Sequence, residues 1–144
     1  KKIMKDVADF HRKLDIPILR SPQKPASDRL NLRITLIKEE SEEAIDALSD
    51  MVAASPAADP SDVKHMLTCA ARELVDLCYV AAGAALELGI DLGPVWDEVH
   101  RANMQKSRDH SREDGKISKP PGFIPPQLHP IITEQIIRGA RLQG

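Results

Sequence analysis

Two long stretches, residues 27–54 and 60–88, constrain the fold most, because their apolar side chains recur every three or four positions between proline and glycine breaks. That period belongs to a helix and not to a strand. In the first stretch the apolar positions are Leu30, Ile34, Ile37, Ala44, Leu48 and Met51. They predict a helix from Ser27 or Asp28 to about Ala54. Residues Pro56 to Pro60 break the pattern. Asp59 is then a suitable N-cap, with Pro60 at the first helical position. The next helix should run to about Leu88, with Gly89 as its stop. Its second half, Leu74 to Leu88, is apolar on nearly every side, and such a helix is normally buried all round. A chain of 144 residues barely offers enough cover, so a homodimer or higher oligomer is expected.

The remaining chain is also helical in pattern. Ile3, Val7, Phe10 and Leu14 form one stripe, predicting a short helix from Ile3 to Leu14. Residues 16–26 hold Pro17, Pro22 and Pro25 and read as a loop. Pro94 opens a helix to about Lys106, residues 108–126 are polar and rich in Pro and Gly, and Ile131 to Leu142 suits a short tail helix. No run alternates as a strand would. The expected fold is therefore all-α: a four-helix-bundle type with a tail helix. One domain should span 1–144, with its core at about 3–108 and a loop and tail at 109–144.

Composition narrows the partners. Aromatic residues make up 3% of the chain, so no row of rings is available to stack nucleic-acid bases. The net charge of -2 gives no field that would hold a phosphate backbone. Neither nucleic acid nor membrane is expected as a partner. The most apolar window, Leu74 to Leu88, is interrupted by Asp76 and Glu87 and is too short to span a bilayer. Cys69 and Cys78 fall on opposite faces of one helix and cannot bridge each other. Two unpaired thiols fit a reducing compartment, and the cytoplasm is the expected location. None of the five histidines shows obvious ligand spacing, so none is assigned to a metal.

The informative residues are acids that interrupt apolar stripes. Leu30, Ile34 and Ile37 lead to Glu40 and then Ala44, and the parallel row Leu32, Leu36, Glu43, Ala47 does the same. Glu39 lies one turn before Glu43. In the following helix Met66, Ala70, Leu77, Ala81 and Leu88 form a stripe into which Glu73 falls, with Asp76 three residues on. A run of acids usually makes a solvated helix face, and Lys38 and Arg72 could pair with some of these. Two helices that break their stripes alike point instead to a shared inward site. An ionised carboxylate is costly to bury unless it is paired or bound to a metal. Oxygen ligands without cysteine select Mg²⁺, or Mn²⁺, over zinc.

The motif Glu39-Glu40-x-x-Glu43, followed by Glu73-x-x-Asp76, resembles the all-α nucleoside triphosphate pyrophosphatases. So do Val99-His-Arg-Ala-Asn-Met-Gln-Lys106, Asp114-Gly-Lys116 and Lys119-Pro-Pro-Gly-Phe123. That superfamily includes the MazG-like proteins, the dimeric dUTPases and phosphoribosyl-ATP pyrophosphohydrolase. The likeness covers roughly residues 6 to 126 and is nearest to the MazG-like dUTP pyrophosphatases. It implies a metal-dependent hydrolysis of a nucleoside triphosphate to the monophosphate and pyrophosphate, cleaning the nucleotide pool. Glu40, Glu43, Glu73 and Asp76 would hold the metal, Mg²⁺ or Mn²⁺, and Glu39 would position or deprotonate the attacking water. Asn103, Lys106, Lys116 and Lys119 would contact the nucleotide. The preferred substrates are dUTP or dCTP. The alternatives are a damaged nucleotide, phosphoribosyl-ATP, or a helical interaction module without catalysis. Cleaving a phosphoanhydride needs charge neutralisation on its oxygens and an in-line water, which carboxylates, metal and lysines together can supply.

Overall fold

Proline, glycine and one aspartate set where the helices begin and end. The computed structural model describes residues 2–143, with side chains described to Arg141. The chain forms α1 (Lys2–Lys13), α2 (Ser27–Ala53), α3 (Pro60–Leu88), α4 (Leu92–Asn103) and α5 (His129–Gln143), with a single 3₁₀ turn at Arg108–His110. The described residues contain no strand beyond one isolated bridge between Ser111 and Ile117. The fold is all-α.

Most helix ends have a local cause. Asp15 adopts a left-handed φ of 54° and stops α1, while the Ile16 amide bonds back to the His11 carbonyl. The Asp59 carboxylate accepts from the Ser61 amide at 3.0 Å and opens α3. Gly89, at φ 73°, ends it. The expected start of α4 at Pro94 is corrected to Leu92, because the Asp91 side chain accepts from the Gly93 amide and recruits an earlier turn. Its end moves from Lys106 back to Asn103. Similarly α5 begins at His129 rather than Ile131, with Pro130 in its first turn.

Two compact units divide the chain. One comprises residues up to 18 together with 24–88; the other comprises 19–23 together with residues from 89 onward. In the first unit α1 and α2 both pack on α3, and the α2–α3 pair forms a helical hairpin. Its interior is made of small side chains, Ala44, Ala47, Ala70, Ala82 and Ala85, with Val7 of α1. Small residues let the helix backbones approach closely, leaving little apolar volume at the centre.

The sequence stripes are turned relative to this interior. In α1 the buried residues are Val7, Ala8 and His11, while Ile3, Phe10 and Leu14 are exposed. In α2 the expected inward Ile34 is exposed, and Arg33 beside it is buried. The cause is Glu87, which is 2% exposed near the end of α3. Its carboxylate receives Arg29 Nε at 2.6 Å and is also bonded by Arg33 Nε. Burial alone would push Glu87 up; the two guanidinium bonds more than offset this and hold it below the usual carboxylate range. In the single chain Leu74, Val75 and Cys78 of the apolar run Leu74–Leu88 are exposed, so the chain does not cover this helix on every side by itself.

In the second unit, Gln135 of α5 is buried and clasps Asp91 from both sides. The Asp91 amide donates to its Oε1 at 2.9 Å, and its Nε2 donates to the Asp91 carbonyl at 3.0 Å. Gly139 lies against Ser21, and the same serine's carbonyl closes on Gly89. The loop after α4 is bracketed by Gln105, which exchanges two hydrogen bonds with the backbone of Ile124. Glu98 binds Arg101 and the Gln127 amide, contacts that lower its pKa to about 2. Trp96 of α4 is 74% exposed.

Candidate metal centre

The acids that broke the stripes of α2 and α3 meet across the hairpin. Oxygen atoms of Glu40, Glu73 and Asp76 all lie within 4.8 Å of one another, and all three side chains are half-buried. No other set of three such donors is gathered among the described residues. Helical geometry explains the gathering. Glu73 and Asp76 are one turn apart on α3, and the hairpin sets Glu40 opposite them.

Like charges this close raise one another's affinity for a proton. Glu40 is held above the usual carboxylate range by burial first, then by Glu43, Asp76, Glu73 and Glu39. Glu73 is raised by burial and by Glu43 beside it, against the pull of Arg72. Arg72 reaches Asp76 at 3.5 Å, but the arginine is largely exposed and this pair offsets little. One oxygen each of Glu40 and Glu73 is shut from solvent with no hydrogen-bond partner in the structure. Carboxylate oxygens shut from solvent without a partner, in a cluster of three acids, make a donor set that a hard divalent ion fits.

Of the remaining expected ligands and contacts, Glu43 is more exposed than the three clustered acids, yet it lines one groove together with Glu73. Glu39 is exposed on the next position of α2. Asn103, Lys106, Lys116 and Lys119 belong to the second unit. There Lys106 Nζ donates to Asn103 Oδ1 at 3.0 Å, joining the two residues expected to share a helix face. The Phe123 ring lies 6.0 Å from Lys106 Nζ and 5.5 Å from Lys119 Nζ. Lys116 follows the Asp114–Gly115 turn, and its amide donates to Asp114 Oδ1 at 3.1 Å.

Sequence reasoning missed the Arg29–Arg33–Glu87 group, since Glu87 passed as an interruption of an apolar run. A single acid late in an otherwise apolar helix was the available signal.

The geometry defines a class: an all-α protein with a cluster of half-buried carboxylates between the two helices of a hairpin. A protein-family model described as phosphoribosyl-ATP pyrophosphohydrolase (PRA-PH) matches residues 7–103, and the chain belongs to that family. The match takes in all the clustered acids and Asn103, and ends before Lys106, Lys116 and Lys119. Membership makes the chain a pyrophosphohydrolase acting on phosphoanhydride bonds, in a family that generally depends on a metal. A search of curated proteins found no match. None of the described helices is long and apolar enough to cross a membrane.

Proposed function

We propose that the chain hydrolyses a nucleoside triphosphate between its α and β phosphates, releasing pyrophosphate, with dUTP or dCTP as substrate. The observation that carries this reading is the Glu40, Glu73 and Asp76 cluster with its two orphaned oxygens, in a chain of a pyrophosphohydrolase family. Glu40, Glu43, Glu73 and Asp76 would hold Mg²⁺, or Mn²⁺. When bound, the ion neutralises phosphate oxygens and acidifies water. Glu39 is exposed and its carboxylate stays free to take a proton from the attacking water. Asn103, Lys106, Lys116 and Lys119 are the proposed substrate contacts, the lysines supplying positive charge where negative charge develops. Phe123 between two lysines limits where their ammonium groups can swing. The working molecule is proposed to be a homodimer, and its free cysteines suit the cytoplasm.

The family's description favours a second substrate, phosphoribosyl-ATP, which carries the same α–β anhydride. A damaged nucleotide is a third. The test is pyrophosphate release from a panel holding dUTP, dCTP, phosphoribosyl-ATP and oxidised nucleotides, with Mg²⁺ and with EDTA. Metal-dependent release from dUTP or dCTP alone supports the first reading. Preference for phosphoribosyl-ATP or an oxidised nucleotide replaces it, and release from none would leave a helical binding module.

A further inference from the structure

The α2–α3 groove continues past the clustered acids and changes its chemistry. It encloses about 300 Å³, with Glu43 and Glu73 at the acid end and Asp46, Asp50, His65 and Cys69 beyond them. His65 and Cys69 are one helical turn apart on α3, and Cys69 Sγ lies 3.7 Å from His65 Nε2. A tetrahedral zinc ion with ordinary Zn–S and Zn–N bonds holds such a pair of donors roughly 3.6 Å apart. The helix thus presents sulfur and imidazole at chelating separation without any change of backbone.

We propose that His65 and Cys69 bind a thiophilic divalent cation of the Zn²⁺ or Co²⁺ type, closed by a carboxylate of Asp46 or Asp50 from α2. The ion would take the lone pair of the imidazole nitrogen and displace the thiol proton to solvent, and the thiolate and carboxylate offset its charge. Asp46 and Asp50 are exposed and line the same groove as His65 and Cys69, which makes them the carboxylates proposed to complete the site. Donor type separates this site from its neighbour. Three carboxylates favour a hard ion, whereas sulfur and nitrogen favour a softer one. The spacing is visible in the sequence as His65-x-x-x-Cys69, one helical turn. The site stands whether or not the chain hydrolyses nucleotides.

Co²⁺ titrated into the full chain, with Mg²⁺ in large excess to occupy the acids, reads the site directly. The expected result is a thiolate-to-cobalt charge-transfer band that saturates at one equivalent and is bleached by Zn²⁺. Cys69→Ser removes the band. His65→Ala weakens Co²⁺ binding beyond the ~10–100-fold typical of losing an outer-shell partner. Cys78→Ser and Asp76→Asn both retain the band. His65 is exposed, so its loss leaves the helices folded, which circular dichroism confirms. The proposal is overturned by no band in the wild type, by a band that survives Cys69→Ser, by unchanged affinity in His65→Ala, or by a band lost with Cys78 or Asp76.

Discussion

At the scale of single residues, the two groups of buried or half-buried acids behave in opposite ways. Glu40 faces other carboxylates, and its charge is unwelcome until a cation arrives. Glu40→Gln should therefore leave the metal-free chain as stable as before, or more so. Metal would stabilise only the wild type, by about 2.7 kcal/mol at a hundredfold excess over Kd. Thermal melts with and without Mg²⁺ read both effects, and pyrophosphate release should vanish in the variant. Full activity there would remove Glu40 from the ligand set. Glu87 faces two guanidinium groups, so removing its charge leaves Arg29 and Arg33 confronting each other. Glu87→Gln should cost about 3–5 kcal/mol in urea unfolding, the range for breaking a buried pair. A cost below 1 kcal/mol would mean that water reaches the arginines.

His11 adds a pH dependence to the same neighbourhood. It is 1% exposed, with Nδ1 3.2 Å from the Pro17 carbonyl. Burial pushes its pKa down, and nearby Arg33 pushes the same way, against the Pro17 bond and Glu87. The folded chain keeps His11 neutral, whereas the unfolded chain protonates it near pH ~6.5. Stability is thus full above that value and declines as the pH falls from there toward the lower folded value. His11→Asn retains a donor for Pro17 but cannot titrate. Urea midpoints compared at pH 7.5 and 5.5 should fall more for the wild type than for the variant; parallel falls would refute the assignment.

At the scale of elements, the sequence was legible where one residue decides. Asp59, Pro60 and Gly89 fixed both ends of α3, and the period placed α2 within a residue of its limits. The acid cluster was legible too, because Glu40 and Glu73 violated apolar periods on two helices and Asp76 lies one turn from Glu73. The rotation of each helix was not. Ile34 and Arg33 are neighbours, and only the distant Glu87 makes Arg33 the buried one. Pairing across more than fifty positions leaves no local trace. The docking of α5 was equally silent, since it depends on close approach. A Cβ on Gly139 would collide with the Cβ of Ser21 in the segment 19–23. Gly139→Ala should cost about 1–3 kcal/mol by overpacking. Limited proteolysis should then cut the tail sooner, and an unchanged cleavage rate would show that the segment yields freely.

At the scale of the whole molecule, the interior of the α2–α3 hairpin is too small to use the apolar surface its helices carry. Ile34, Ile45, Leu48 and Val52 share one face of α2, and Val52 is 87% exposed. On α3, Val63, Leu67 and Leu74 recur at helical spacing and are exposed as well. The stripe on α2 is turned away from the buried Ala44 and Ala47, whereas the residues on α3 share their face with the buried Ala70 and Ala85 and extend that face outward. Exposed apolar residues aligned on helix faces in this way suit an association site. A second copy is the simplest partner, since two hairpins laid stripe to stripe complete a four-helix bundle. The proposed homodimer should therefore be the species seen by sedimentation velocity at micromolar concentration. Ile45→Arg combined with Leu67→Arg sets a charge on both stripes while leaving the carboxylates and the alanine interior intact. The double variant should sediment as a monomer with wild-type helicity. A wild-type chain that is already monomeric would sink the homodimer and leave these stripes to another protein. A variant that stays dimeric would move the interface to the exposed Trp96 and Met104.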